Sequence, residues 1–167
     1  MDPLALFKIP FRGLKAGKHE FQMDVDQEFF TNFPESEIED AKGVVDVILE
    51  YSETNMVLHL YMNLTWKVPC GRCLEELIYD LNREECIAVQ YGDETIIGDD
   101  LWTLGKNEIE LDLSSTILEM SHLACPTHQV HENESDCDPD MIAFINKDSK
   151  EDRETPIDPR WNALKKL

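Results

Sequence analysis

The most regular feature of the chain is a stretch in which apolar and polar side chains alternate with a period of two. From residue 56 to residue 66 every even position is apolar, while the odd positions are mostly polar. This alternation predicts a long, half-buried β-strand with its even side chains in the core and His59 on the more polar face. A similar stretch at 45–51 precedes it, and the turn residues 52–55 between the two predict an antiparallel hairpin.

Weaker patterns predict further strands around this hairpin. Apolar positions at 4–10 and an alternating stretch at 18–24 indicate two strands before it, and residues 77–91 indicate one or two strands that return after it. Cys86 lies among the residues of this returning segment. We therefore expect Cys86 to be a buried, unreactive thiol.

The middle of the chain predicts a loop and then a helix. Residues 92–108 are acidic and rich in glycine, which is typical of an irregular loop, here attached to the body through Leu101 and Trp102. Beyond this loop, apolar side chains repeat at helical spacing. They predict one packed helix near residues 112–124, which must end before Pro126 because proline cannot continue a helix.

The C-terminal part of the chain changes in character. Residues 146–167 predict an acidic linker followed by a short helix, in which Asp158 is the N-cap and Pro159 occupies the first turn. Residues 1–145 predict a single domain. The expected fold class is α+β: mainly an antiparallel β-sheet or a partly open barrel, with one packed helix near 112–124 and a short C-terminal helix.

The charge of the chain restricts its partners. It has 35 acidic and 15 basic residues, a formal net charge of -20. Such a surface repels phosphate backbones and anionic membranes and favours basic partners, among them ribosomal proteins. The basic residues are scattered, apart from Arg12, Lys15 and Lys18 and the pair Lys165–Lys166. We find no signal peptide of the usual form, no lipidation motif and no membrane-spanning segment, so we expect a cytoplasmic protein.

The cysteines carry the clearest chemistry in the sequence. Cys70 and Cys73 form a CxxC pair at the end of the long predicted strand, and such pairs supply two of the four ligands of a tetrahedral zinc site. A second pair is available from four residues within thirteen positions: Cys125, His128, His131 and Cys137. Spacing alone permits Cys125 with Cys137, His131 with Cys137, or Cys125 with His128. A closed set of four protein ligands would make the zinc structural.

A thiol oxidoreductase is the alternative interpretation of the CxxC pair. That function needs the pair at the start of a helix in a βαβ unit, whereas here it joins predicted strands. The glutamates Glu75 and Glu76 follow it, and we expect such a setting not to lower a thiol pKa. The chain has no glycine-rich phosphate loop, no GxSxG and no HExxH motif. Nothing in the sequence argues for an enzyme.

Three features together resemble the bacterial YceD family, named for large ribosomal RNA subunit accumulation. The long strand ends in Cys-Gly-Arg-Cys-Leu-Glu (70–75), a helix leads to Val130-His131 and to Cys-Asp-Pro-Asp-Met (137–141), and the chain closes with Asp-Pro-Arg-Trp (158–161) and Ala-Leu-Lys-Lys-Leu (163–167). The resemblance covers roughly residues 43–167.

The resemblance implies an intracellular, non-enzymatic accessory factor in large-subunit ribosomal RNA synthesis, processing or assembly. It also implies a zinc ligand set of Cys70, Cys73, His131 and Cys137, with Cys125 or His128 in reserve. Given the charge, we expect the factor to act through a basic protein, such as a ribosomal protein or an RNA-processing factor. The alternative is a zinc-dependent module that contacts RNA through its N-terminal basic residues.

Overall fold

The computed structural model describes residues 3–151, with side chains up to residue 147. Short 3-10 turns occur at Ala5–Phe7 and Glu134–Asp136. The strands are β1 (Lys8–Pro10), β2 (Gly17–Val25), β3 (Asp40–Tyr51), β4 (Asn55–Pro69), β5 (Glu76–Gly92), β6 (Leu101–Gly105) and β7 (Glu110–Asp112). The helices are α1 (Gln27–Thr31), α2 (Ser114–Ala124) and α3 (Pro139–Glu151).

The strands form two open sheets. The larger sheet has the order β2-β3-β4-β5-β6, and β1 pairs with β7 in a separate two-stranded sheet. The β2–β3, β3–β4 and β1–β7 pairs are antiparallel, whereas β5 and β6 run parallel. The predicted α+β fold with a mainly antiparallel, unclosed sheet is confirmed.

The hairpin of β3 and β4 is the centre of the core. The register places Val45 opposite Met62, Val47 opposite Leu60, and Leu49 opposite Leu58. All six of these side chains are buried, and so are the other even positions of β4 from residue 56 to residue 66. The odd positions, His59 among them, are half-buried or exposed. The alternation in the sequence therefore predicted both the strand and its inner face.

Helix α2 covers the core as the sequence predicted. Its start is stabilised by Asp112, whose Oδ1 accepts a hydrogen bond of 3.0 Å from the backbone N–H of Ser114. Ile117 and Met120 are buried in the same apolar cluster as the inner face of the sheet. The helix ends at Ala124, two residues before Pro126.

Two predictions about strand residues are wrong. Cys86 is exposed, because Leu81, Ile87 and Val89 of β5 face the core and the period of two turns residue 86 outward. The segment predicted as an irregular loop contains β6, in which Trp102 is buried and Leu101 is 49% exposed. Trp102 and Leu104 attach this segment to the core, and the Trp102 Nε1–H donates a hydrogen bond of 2.8 Å to the carbonyl of Gly98.

Helix α3 was not predicted from the sequence. Its start follows the Asp-Pro rule: Pro139 is the first helical residue, and Asp138 Oδ1 accepts a hydrogen bond of 2.8 Å from the N–H of Met141. The helix continues to Glu151, so residues 146–151 are helical where an acidic linker was expected. The short helix predicted after Asp158 lies outside the described residues.

Contacts divide the chain into two compact units. The first consists of residues 1–68 and 78–127 and contains the core described above. The second consists, among the described residues, of 69–77 and 128–151 and contains the turn between β4 and β5 together with α3. The domain division predicted at residue 146 stays a prediction. In the part of the chain that the structure describes, no helix combines the length and the apolar character needed to cross a membrane.

Candidate metal centre

The CxxC pair lies in a tight turn between two long strands. Strand β4 ends at Pro69 and β5 begins at Glu76. The N–H of Cys70 donates a 2.8 Å hydrogen bond to the carbonyl of Glu75, and the N–H of Leu74 donates a 2.9 Å hydrogen bond to the carbonyl of Cys70. These two bonds close the turn and hold the two thiols on a defined backbone.

The segment after residue 127 supplies the second half of the site. The N–H of Gly71 donates a short hydrogen bond of 2.6 Å to the carbonyl of Gln129. A Cβ added at Gly71 would lie 3.3 Å from that carbonyl oxygen, so glycine suits this close approach. Cys137 lies at the end of the 3-10 turn, directly before α3, and its N–H donates to the carbonyl of Glu134 at 3.2 Å.

Four side chains meet where these two segments come together. One ligand atom from each of Cys70, Cys73, His131 and Cys137 lies within 4.8 Å of the other three. The Sγ atoms of Cys73 and Cys137 are each 3.5 Å from Nδ1 of His131. In a tetrahedral zinc site, bond lengths of about 2.3 Å to sulfur and 2.0–2.1 Å to nitrogen separate the two ligand atoms by roughly 3.6 Å. The donor set therefore fits zinc in both chemistry and spacing.

The position of His131 favours coordination over ordinary hydrogen bonding. A neutral imidazole nitrogen carries either one proton or one lone pair, so it makes one good hydrogen bond. Here two sulfurs lie at the same 3.5 Å distance from Nδ1. That arrangement places Nδ1 at one corner of a four-cornered site, so Nδ1 is the atom that would bind a metal ion.

The site is closed. Cys70 is 0% exposed, and Cys73 and Cys137 are each 4% exposed. With four protein donors in a tetrahedron, no position remains open for water or substrate, which is the arrangement of structural rather than catalytic zinc.

The protein environment changes the acidity of two of these thiols in opposite directions. Burial opposes ionisation of Cys70, but backbone N–H groups of Cys73, Arg72 and His131 outweigh it and lower the pKa of Cys70 to about 6. The expectation that this setting would not lower a thiol pKa is therefore wrong for Cys70. Burial and the neighbouring Cys73 thiol raise the pKa of Cys137. Because thiols bind metal as thiolates, a cation would have to draw the proton from Cys137.

Arg72 is a residue of the candidate site that the sequence analysis missed. Its backbone N–H donates to Cys70 Sγ at 3.4 Å, and its guanidinium Nη1 donates to Cys137 Sγ at 3.6 Å. Three thiolates and one imidazole around Zn²⁺ would carry a net charge of -1, which the guanidinium would offset. The sequence signal that could have identified Arg72 is its position between the two cysteines of the CxxC pair.

The other candidate ligands lie outside this cluster. The Cys125 thiol donates a 3.3 Å hydrogen bond to the carbonyl of Ser121, one helical turn earlier, and burial raises its pKa. His128 is exposed, and so is Cys86. Among the described residues, the four-residue cluster is the one group of side chains with the spacing of a metal site.

The turn also contains a strained residue. Leu74 has a φ of 67°, in the left-handed region, and its side chain is 69% exposed. A residue with a Cβ normally avoids this conformation. The N–H of Leu74 donates a hydrogen bond to the carbonyl of Cys70, so the left-handed conformation is part of the geometry that closes the turn.

We expect the protein purified without added metal to carry about one zinc ion per chain, because three buried thiols and the half-buried His131 form a closed set of four donors. Replacing Cys73 by Ser removes one sulfur, so the Cys73→Ser protein should lose its zinc, and its second unit should become sensitive to protease. Elemental analysis and limited proteolysis measure the two effects. Cys86→Ser is the matched control and should retain the metal. A Cys73→Ser protein with full zinc and unchanged protease resistance would contradict the site.

Arg72→Gln should weaken zinc binding about 10–100-fold, the usual effect of losing a residue that supports metal ligands. The reason is the loss of the positive charge beside Cys137 Sγ, since the backbone N–H of residue 72 is retained. Competition with a chromophoric chelator measures the affinity. Arg83→Gln is the control, because Arg83 pairs with Glu85 at 2.8 Å and lies outside the cluster. Equal affinities in the two variants would rule out this role for Arg72.

Leu74→Gly should stabilise the metal-free protein by about 0.5–1 kcal/mol, since the relief of the left-handed strain exceeds the entropic cost of glycine. Leu74→Ala keeps the Cβ and the strain, so it separates the backbone effect from loss of the exposed side chain. Urea unfolding of both variants measures the free energy of unfolding. If the glycine and alanine variants are equally stable, the strain at Leu74 has no energetic effect.

Comparison with known proteins assigns the chain to a family. The family model described as "Large ribosomal RNA subunit accumulation protein YceD" matches residues 58–167, which include all four residues of the cluster. Searches of curated proteins and of solved structures find no match. The family model covers about two thirds of the sequence, from within β4 to the last residue. The chain therefore belongs to the YceD family.

Proposed function

We propose that the protein is a non-enzymatic accessory factor in large-subunit ribosomal RNA synthesis, processing or assembly, and that it acts in the cytoplasm. The match to the family named for large ribosomal RNA subunit accumulation carries this proposal. The cluster supports it, because four protein donors, three of them buried and His131 half-buried, would fill the coordination shell of a tetrahedral metal ion and leave no position for a substrate. The same burial argues against thiol redox chemistry: Cys70 has the lowered pKa, yet a substrate disulfide cannot reach a side chain that is 0% exposed.

Zinc would have a structural role in this function. Cys70 and Cys73 would bind it from the turn, and His131 and Cys137 would bind it from the segment that leads into α3. Structural zinc contributes roughly 10–16 kcal/mol in small zinc-finger peptides. The zinc would thus maintain the fold of the second unit.

We propose a basic protein as the direct partner. The net charge of -20 opposes contact with phosphates. Two of the N-terminal basic residues, on which the RNA-contacting alternative depends, already have partners: Lys18 pairs with Glu50 at 3.1 Å, and Arg12 donates a hydrogen bond to the carbonyl of Lys106. A filter-binding series against salt distinguishes the two hypotheses, since direct phosphate contact gives a steep loss of affinity with rising salt.

Depletion of the protein in cells should lower the ratio of large-subunit to small-subunit ribosomal RNA. Wild-type protein and Cys86→Ser should restore the ratio, and Cys73→Ser, which loses a zinc ligand, should not. Quantitative electrophoresis of total RNA measures the ratio, with immunoblots to match protein levels. An unchanged ratio after depletion would refute the proposed function. Full rescue by a zinc-free Cys73→Ser protein would refute the need for zinc and leave the RNA function standing.

A further inference from the structure

An apolar groove lies beside helix α2 in the first unit. Its floor is formed by Trp102, Leu104 and Leu111, which are all buried, and Ile97 at its edge is 56% exposed. The groove has a volume of about 540 Å³. That volume is in the range of sites that hold a few side chains of a partner. We call this feature the α2 groove.

The rim of the α2 groove carries negative charge only. No basic residue lines the groove, whereas four acidic residues do: Glu108, Glu110, Asp112 and Glu119. Lys8 lies 3.6 Å from Asp112, and Thr95 donates a hydrogen bond of 2.9 Å to Glu108. Within the described part of the chain, Glu110 and Glu119 have no ion-pair partner. Two carboxylates at the rim are thus available to an incoming cation.

The acidic surface continues on the other side of α2. A second, smaller cavity of about 300 Å³ shares Thr116 and Glu119 with the α2 groove. It adds the carboxylates of Asp99 and Asp100 and the 65% exposed side chain of Leu123. Its one basic residue, Arg83, is paired with Glu85 at 2.8 Å. Both cavities beside α2 are therefore lined by apolar side chains together with carboxylates.

We propose that the α2 groove binds a lysine- or arginine-rich segment of a partner protein, which inserts one or two apolar side chains against Ile97 and Trp102. Charge complementarity selects this occupant. A nucleic acid would bring phosphates to Glu110 and Glu119, and a second copy of this chain would bring another 20 negative charges net. The proposal rests on the proposed function, because it assigns the site at which the basic partner is held.

The test uses the full-length protein and three labelled synthetic peptides of equal length: one of Leu, Lys and Ala, one with each Lys replaced by Glu, and one with each Leu replaced by Ser. Fluorescence anisotropy gives the Kd at low and moderate salt. The Lys–Leu peptide should bind, the Glu peptide should not, and the Ser peptide should bind at least about 10-fold more weakly because it has no apolar anchor.

Two double variants with the same change in net charge locate the binding site. Glu110→Lys/Glu119→Lys alters the rim of the groove, and Glu20→Lys/Glu84→Lys alters exposed strand residues that do not line it. The groove variant should weaken binding of the Lys–Leu peptide about 10-fold or more, and the control less than about 2-fold. Equal losses would mean nonspecific attraction and would overturn the proposal. Circular dichroism and zinc content confirm that each variant is folded.

Other occupants give different results, each of which would overturn the proposal. A second copy would appear as a concentration-dependent dimer in sedimentation analysis that the groove variant abolishes. Ribosomal RNA as the occupant would bind the wild-type protein in the absence of any peptide, with an affinity that falls steeply as salt rises. The cellular ratio of ribosomal RNAs separates this proposal from the proposed function. If the groove variant binds the Lys–Leu peptide normally, while depletion of the protein still lowers the ratio, the groove proposal is refuted and the proposed function stands.

Discussion

The second unit depends on the convergence of three thiols and one imidazole on a single point. Such a cluster is unfavourable by itself, because buried sulfurs that ionise near one another repel and lose their hydration. The fold reduces this cost at two places: backbone N–H groups lower the pKa of Cys70 to about 6, and Arg72 directs its guanidinium at Cys137. A divalent cation would remove the remaining cost. The turn, the loop before α3 and the start of α3 can then be explained as the parts that bring four donors together.

The hairpin strands β3 and β4 and the helix α2 could be predicted because each follows a single local rule. The period of two in β3 and β4 and the helical spacing in α2 come from side chains that contact one continuous core. The predictions failed where the pattern is short or mixed. The five residues of β6 directly follow Asp99 and Asp100 and end at Gly105. Asp138-Pro139 begins α3 with the same capping signal that we recognised at Asp158-Pro159. The polar composition after residue 132 hid that signal.

The ligand set shows where spacing stops being informative. A second pair chosen from four candidates left three combinations open, because the path of the chain between α2 and α3 determines which side chains turn inward. Cys125 ends α2 and bonds back to Ser121, while the turn that closes on Gln129 brings the next histidine, His131, toward the thiols. Neither fact can be read from the order of the residues. The resemblance to the YceD family implied the set that the structure assembles.

The negative charge of the chain and its membership of the YceD family relate the candidate metal centre and the α2 groove in function. Cationic protein segments that bind ribosomal RNA meet a polymer with a dense row of negative charges, and they bind it mainly by counterion release. A groove with separate carboxylates attracts the same segments more weakly, and its apolar floor adds contacts that phosphates cannot offer. Such a site can hold a basic segment until RNA competes for it, and no energy source is needed for the release. Holding and releasing a basic segment requires a surface with a fixed shape and does not require reactive sulfurs. Buried cysteines with a structural role are consistent with that requirement.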